Sequence, residues 1–279
     1  MQPLKVLIDR LSSHRSIHIS ILDLSGILHL KATELPFENS IHSKRFCDIA
    51  KSTARGYRAC LYCKQCATDK AVCGKEAFHG NCFFGVYEAV FPVIIQESVV
   101  AVVYVGNAVC DMQQTRARLQ KACRCTGVSE QELLYALEQS EAVADPLELL
   151  QIGEIVADYL KALCKNTLPQ IKAEQHWIVT LMRQYAEQQL CSPISLKEIA
   201  TLYRKNEKYV GRLFKKETGK SFAEYCNDLR LERAAQLISQ GAGSVISVAM
   251  ECGFNNISYF NRLFRKKYGV SPTAYRKEE

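Results

Sequence analysis

Ala249-Met250-Glu251-Cys252-Gly253-Phe254-Asn255-Asn256-Ile257-Ser258-Tyr259-Phe260-Asn261-Arg262-Leu263-Phe264-Arg265-Lys266 decides the fold of the last third of this 279-residue chain. Its final eight residues, Tyr259 to Lys266, match Tyr209-Val210-Gly211-Arg212-Leu213-Phe214-Lys215-Lys216, fifty positions earlier. Gly269, Ser271 and Tyr275 then match Gly219, Ser221 and Tyr225, and Val248-Ala249 echoes Ile199-Ala200. Self-similarity at a fixed offset marks a duplicated structural unit. Two copies are too few for a stacked solenoid, which normally needs three. Each copy reads as a helix, a short turn and a basic helix.

The residues of each copy suit docking in a DNA groove. In the first, Ser195 is placed to cap a helix over 196–203, and Asn206 to cap a second over 207–217 that Gly219 closes. Val210, Leu213 and Phe214 share one face of that second helix, which predicts inward packing. Lys208, Gly211, Arg212 and Lys215 point the other way. In the second copy Ser244 and Asn255 or Asn256 are the candidate caps. Phe260, Leu263 and Phe264 form the inner face there, and Ser258, Asn261, Arg262 and Arg265 the outer one. Arg and Asn pair bidentately with guanine and adenine edges, whereas lysines suit phosphates. Lys215, Lys216, Arg265, Lys266 and the capping Asn206 are therefore the candidates for phosphate contact.

Charge supports the same reading. Residues 1–170 hold 18 Lys and Arg against 18 Asp and Glu, while residues 171–279 hold 18 against 11. The net +7 sits wholly in the C-terminal part, the footprint of a polyanion-binding module beside a neutral one. No apolar run reaches the roughly 18 residues of a membrane span. The N-terminus lacks a secretory pattern. A cytoplasmic location is thus expected, in which the 13 cysteines stay reduced thiols instead of forming a disulfide framework.

Before the repeat, the pattern mixes helices and strands. Helices are predicted over 4–14, 39–54 and 55–79, then over 112–125, 129–140 and 147–164. Strands are predicted over 17–24, 27–30, 82–95 and 99–105, the last two as central antiparallel neighbours joined at Gln96-Glu97-Ser98. The expected division is a first domain over 1–166, a linker over 167–176 and a helical domain over 177–279. Within the first domain Cys60, Cys63, Cys66 and Cys73 span about 140° of a helix face, with Cys82 before a strand. Two consecutive C-x2-C spacings can seat zinc or an iron–sulfur cluster. The same thiols can equally serve as small buried hydrophobes or as a redox input. No cofactor is fixed by the spacing alone.

Residues 177–277 resemble the DNA-binding domain of the AraC/XylS family. The carriers are Ile199-Ala200, Tyr209 to Gly219, Arg230-Leu231-Glu232-Arg233-Ala234 and Ala249 to Tyr275, with Gly253-Phe254, Ser271-Pro272 and Tyr275-Arg276. The resemblance implies two helix-turn-helix units joined by a long helix over 222–240. It places base contacts at Lys208, Gly211 and Arg212, and at Ile257, Ser258, Asn261 and Arg262. Gly211 has no side chain to read a base, so readout by the first helix falls to Lys208 and Arg212.

Residues 5–165 resemble the PocR sensory domain, a PAS-like ligand-binding module. The carriers are Phe46-Cys47, Cys60 with Cys63, Lys70-Ala71, Cys82-Phe83-Phe84-Gly85, Phe91-Pro92-Val93 and Val105-Gly106-Asn107. This implies an α+β PAS-like domain followed by an all-α double helix-turn-helix domain. It further implies a small effector such as a short diol, with Cys47, Tyr87, Tyr104 and Asn107 beside Cys60, Cys63 and Cys82 in the pocket. The function expected is a ligand-responsive, DNA-binding transcription regulator, an activator of a catabolic operon. Its partners would be double-stranded promoter DNA, the effector, RNA polymerase and a second copy of the chain. Alternatives are a metal or redox sensor using the cysteines, and a thiol-based DNA methyl acceptor. The latter lacks the Pro-Cys-His-Arg run of the alkyl-transfer enzymes, so no catalytic residues are expected.

Overall fold

The computed structural model describes residues 2–13, 15, 17–139, 144–164, 177–188, 190 and 195–276. The chain divides into two compact units, Met1–Trp177 with Thr201–Arg204, and Ile178–Ala200 with Lys205–Glu279. The expected linker over 167–176 lies outside the described residues. Among those described, no helix is long and apolar enough to cross a membrane.

The first unit is built on a four-stranded antiparallel sheet in the order β1-β4-β3-β2, with β1 at His18–Asp23, β2 at Phe78–Asn81, β3 at Tyr87–Ile95 and β4 at Ser98–Ala108. The two central strands are the apolar runs expected to lie there. They turn through Gln96 and Glu97, both with left-handed φ of 47° and 65°, a backbone twist that matches the flanking strands. Neither residue favours that turn, so pairing of the Val- and Ile-rich flanks dictates the hairpin.

Alternation along these strands gives the sheet two different faces. Ile19, Ile21, Ala89, Phe91, Val93, Val103 and Val105 form a buried core with α1 (Leu4–Ser12) and α6 (Pro146–Cys164). The helix α6 lies so close that a Cβ on Gly153 would stand 2.1 Å from the Phe91 ring. The opposite face carries Ser20, Glu88 and Tyr104, where α3 (Ala54–Gly74) brings Lys64 and Thr68 against Ser20 and Tyr104. Beside it, α2 (Arg45–Ala50), α4 (Met112–Thr126) and α5 (Glu130–Glu138) enclose Phe46, Phe84, Val86, Leu119 and Leu133.

Three local expectations are corrected. Residues 27–30 do not form a strand but a 3₁₀ turn, Ile27–His29. The Asp23 carboxylate accepts the backbone N–H groups of Ser25, Gly26, Ile27 and Leu28 at 3.0, 2.7, 3.2 and 2.9 Å, which winds the chain. The helix expected over 39–54 shrinks to α2. The carbonyls of Glu38, Ile41 and His42 are taken instead by His18 Nε2 and Lys51 Nζ. Finally, α3 stops at Gly74, and 78–81 pairs with β3 as an edge strand. Phe78-His79-Gly80-Asn81 has little strand propensity of its own, so the pairing is imposed by its neighbour.

The described residues from Trp177 onward form helices, α7 (Trp177–Gln188), α8 (Leu196–Leu202), α9 (Glu207–Thr218), α10 (Phe222–Ser239), α11 (Val245–Glu251), α12 (Ile257–Tyr268) and α13 (Pro272–Tyr275), which belong to the second unit apart from Trp177, Thr201 and Leu202. Sequence-coded caps set these boundaries. Ser195 and Glu198 bond each other's backbone N–H at 3.2 and 2.7 Å, and Ser221 with Glu224 repeats that reciprocal box. Asn206 and Asn256 cap α9 and α12, and Gly219 and Gly269 close them with φ of 75° and 82°. Phe254, Phe260 and Phe264 fill the core of the second copy together with Leu231 and Ile238 from α10.

Candidate functional site

Helices α9 and α12 are held in equivalent ways. Asn206 Oδ1 accepts from Tyr209 N at 3.0 Å, and Asn256 Oδ1 from Tyr259 N at 2.9 Å. On the inner faces Val210, Phe214, Phe260 and Phe264 are fully buried. Leu213 and Leu263 are half-buried. That anchorage leaves the cationic faces outward: Asn206, Lys208, Arg212, Lys215 and Lys216 are exposed on or beside α9, and Ser258, Asn261, Arg262, Arg265 and Lys266 on α12. Two expected contacts differ. Ile257 is half-buried and packs against the core of the second copy. Gly211 does not simply face outward, because a Cβ there would meet Leu196 Cδ2 of α8 at 2.9 Å.

Ties to α10 orient the second basic helix. Asn227 Nδ2 donates to the Tyr259 hydroxyl at 3.1 Å, and Lys267 Nζ reaches Glu232 Oε1 at 2.8 Å. Lys267 is thereby engaged within the unit, while Arg262, Arg265 and Lys266 are exposed on the open face. Basic side chains in the last turn of each helix, Lys215 and Lys216 or Arg265 to Lys267, also suit the negative end of its dipole.

In the first unit a cavity of about 30 Å³ lies between the sheet, α2 and α3. Cys47 of α2, Cys60 and Cys63 of α3 and Cys82 of the β2–β3 turn all line it. Cys66 and Cys73 do not; they are exposed on the far edge of α3. The 140° arc they share with Cys60 and Cys63 is too wide for all four to face one point. Burial pushes all four lining thiols above the usual cysteine range, with Cys60 raised against the pull of Lys51 and Lys64. Among the described residues no group of three or more His, Cys, Asp and Glu side chains is placed to hold a metal ion.

The polar end of the cavity is a triad absent from the expected site residues. His42 Nε2 stands 3.0 Å from Lys64 Nζ and 2.8 Å from Glu88 Oε1. One imidazole nitrogen cannot accept from the ammonium and donate to the carboxylate at once. Taken with Lys64, it leaves Glu88 Oε1 buried without a hydrogen bond. Burial lowers the Lys64 pKa, as it does that of His42. For Glu88 burial acts upward, but His42 and Lys64 outweigh it and hold the carboxyl below its usual range. Lys64 Nζ also lies 3.8 Å from the centre of the Tyr104 ring, whose hydroxyl is 2.6 Å from Thr68 Oγ1.

The expected pocket residues therefore separate. The Cys47 thiol donates to Asn107 Oδ1 at 3.3 Å on the cavity wall, and Tyr104 backs the triad. Tyr87 is corrected: it points to the other face of the sheet, into the core shared with α6. A one-residue step along β3 separates it from Glu88, and successive strand residues face opposite ways.

Residues 199–278 match the helix-turn-helix domain family, and residues 1–167 match the sensory domain found in PocR. The chain belongs to the PocR sensory-domain family, with an AraC-type helix-turn-helix domain. Among curated relatives it is 30% identical over 131 residues to the uncharacterized HTH-type transcriptional regulator YijO of Escherichia coli, 46% of each chain. It is 33% identical over 95 residues to the regulatory protein PocR of Salmonella typhimurium, 34% of this chain and 31% of that protein. It is 30% identical over 141 residues to the HTH-type transcriptional activator RhaR of Pectobacterium atrosepticum, 50% of this chain and 46% of that protein. The chain spans about half the length of the curated relatives it matches.

In this PocR-type domain, four cysteines that carried the resemblance surround one void. Glu88 had a signal in the sequence, being the one acid inside the apolar run Tyr87–Ile95. His42 and Lys64 had none, since their positions depend on how α3 packs on the sheet.

Proposed function

We propose that this protein is a ligand-responsive, sequence-specific DNA-binding transcription regulator. The observation that carries the proposal is the pair of capped helices, α9 and α12, each with a fully buried aromatic anchor and an outward face of Lys, Arg and Asn. Such faces suit two major-groove segments of one duplex. Lys208, Arg212, Ser258, Asn261 and Arg262 read bases, with Ile257 offering at most an apolar edge. Asn206, Lys215, Lys216, Arg265 and Lys266 hold phosphates. The names of relatives such as RhaR support an activator, which would contact RNA polymerase and act as a homodimer.

The first unit, read as a PAS-like sensor, takes the effector. An open groove of about 260 Å³ adjoins the thiol-lined cavity and shares Phe46, Val86 and Asn107 with it. A short diol of a catabolic pathway, the class implied by the PocR resemblance, is accommodated there with hydroxyls toward Asn107. Its binding would shift a two-state equilibrium that sets operator affinity.

Fluorescence anisotropy of the full chain on the duplex flanking its own gene tests the first part. Affinity should fall steeply with salt and exceed that for a scrambled duplex; salt-independent, unselective binding refutes it. A thermal-shift screen of short diols tests the second part, because a true effector raises the melting temperature by mass action.

A further inference from the structure

We propose that the cavity between the sheet, α2 and α3 is a subsite for one primary hydroxyl group of the effector, held by Glu88, His42 and Lys64. The inference deepens the effector reading given above and rests on it. Glu88 Oε1 is buried without a hydrogen bond, and all three members of the triad line the void. The Lys64 ammonium is already engaged with three neighbours: Ser20 Oγ at 3.3 Å, His42 Nε2 at 3.0 Å and the Tyr104 ring at 3.8 Å. His42 Nε2 cannot serve Lys64 and Glu88 at once. Whichever it serves, one buried charged group is left short, and leaving such a group unpaired costs more than an ordinary hydrogen bond contributes. A hydroxyl repairs either case, because it can donate to Glu88 Oε1 or accept from Lys64.

Size and charge narrow the class of ligand. A void of about 30 Å³ holds one or two water-sized bodies, enough for an oxygen and its methylene carbon but not for a branched carbon. Much of the remaining lining is neutral: Phe46, Phe84, Val86 and thiols that burial keeps protonated. Glu88 stays ionised, since His42 and Lys64 outweigh its burial. A terminal carboxylate would face that charge, and a terminal ammonium would stand beside Lys64, both in a low dielectric. An uncharged hydroxyl meets neither penalty. Phe46, Val86 and Asn107 border both the void and the open groove. The body of the effector therefore lies in the groove, and its terminal hydroxyl passes Asn107 to reach Glu88.

Thermal shifts of the full chain are measured with three probes of one skeleton. These are 1,2-butanediol, 1-methoxy-2-butanol, whose terminal hydroxyl is capped, and 1-amino-2-butanol, whose terminal group is a cation. The diol should raise Tm saturably, and the ether and the amine should bind about tenfold or more weakly, the loss expected for one hydrogen bond to a charged group. Glu88→Gln should weaken the diol by a similar factor and shrink its advantage over the ether. Tyr87→Phe, one step along β3 and on the other face of the sheet, should change neither. An ether or an amine that binds the parent as well as the diol does overturns the subsite, and so does diol binding that Glu88→Gln leaves intact. No shift with any probe means that water alone fills the cavity, which overturns it too. Should Glu88→Gln not fold, the comparison of diol with ether in the parent decides by itself. Promoter-duplex affinity separates the two readings: a diol that binds through Glu88 without changing that affinity keeps the subsite and refutes the effector.

Discussion

The guanidinium of Arg262 lies over the ring of Tyr259, 5.3 Å from its centroid. The Tyr259 hydroxyl is in turn fixed by Asn227 of α10, so the cation is steered before any DNA arrives. A stacked arginine is a preorganised fork for a guanine edge. Arg262→Ala should cost about 1–3 kcal/mol of specific binding and relax one base position. Arg262→Lys should not restore it, because lysine lacks the planar fork. Competition among single-base operator variants measures this, and equal losses on every sequence would mark Arg262 as a phosphate contact.

Lys215 and Lys266 should behave differently. Each occupies the exposed end of a basic helix, and each is expected to neutralise one phosphate. Substitution by Ala should weaken binding to all duplexes alike and flatten the plot of log affinity against log salt by about 0.9 per lysine. A changed base preference with an unchanged slope contradicts that role.

Acid should weaken the sensory unit through His18. Burial first, then the neighbouring His42, Lys64 and Lys44, lower its pKa from 6.5 to about 4, against the opposing bond to the Ile41 carbonyl. Between those values the unfolded chain binds a proton that the folded chain refuses. The neutral ring's contribution is therefore intact above about pH 6.5 and is lost as pH falls toward 4, at up to about 1.4 kcal/mol per pH unit. His42 acts in the same direction. The variant His18→Gln should show a smaller drop in urea midpoint from pH 7 to pH 5 than the parent; an equal drop assigns the effect elsewhere.

Gly153→Ala is expected to destabilise the protein by roughly 1–3 kcal/mol through overpacking. In an exposed helix the same change would stabilise by up to about 1 kcal/mol, so the sign is diagnostic. Phe91 is the obstacle, with two ring carbons within 2.4 Å of the new methyl position. Pairing Gly153→Ala with Phe91→Leu in urea melts should recover part of the loss.

The helical unit was largely legible because its signals are local. Asn206, Ser221, Asn256 and Gly269 each specify a boundary through their own backbone chemistry, and the fifty-residue repeat shows which helices correspond. The central hairpin was legible from two apolar runs. The thiol cavity was legible only by half. Helical periodicity put Cys60 and Cys63 on one face, but it could not separate them from Cys66 and Cys73 without knowing the angle at which α3 meets the sheet. Glu88 and Tyr87 were interchanged as pocket residues because a strand's parity, inward or outward, depends on its pairing register with β4. His42 reached the site through a segment that is neither helix nor strand, fixed by side-chain bonds from distant positions.

A Cβ on Gly211 would stand 2.9 Å from the end of the Leu196 side chain of α8, which would have to give way to a larger residue. Without a side chain, position 211 offers no group with which the middle of that basic face could read a base. Operators should consequently be lopsided: the arm under α12 tightly spelled, the arm under α9 tolerant of drift. Genes governed by this protein would then share one strict sequence block and differ freely in the other.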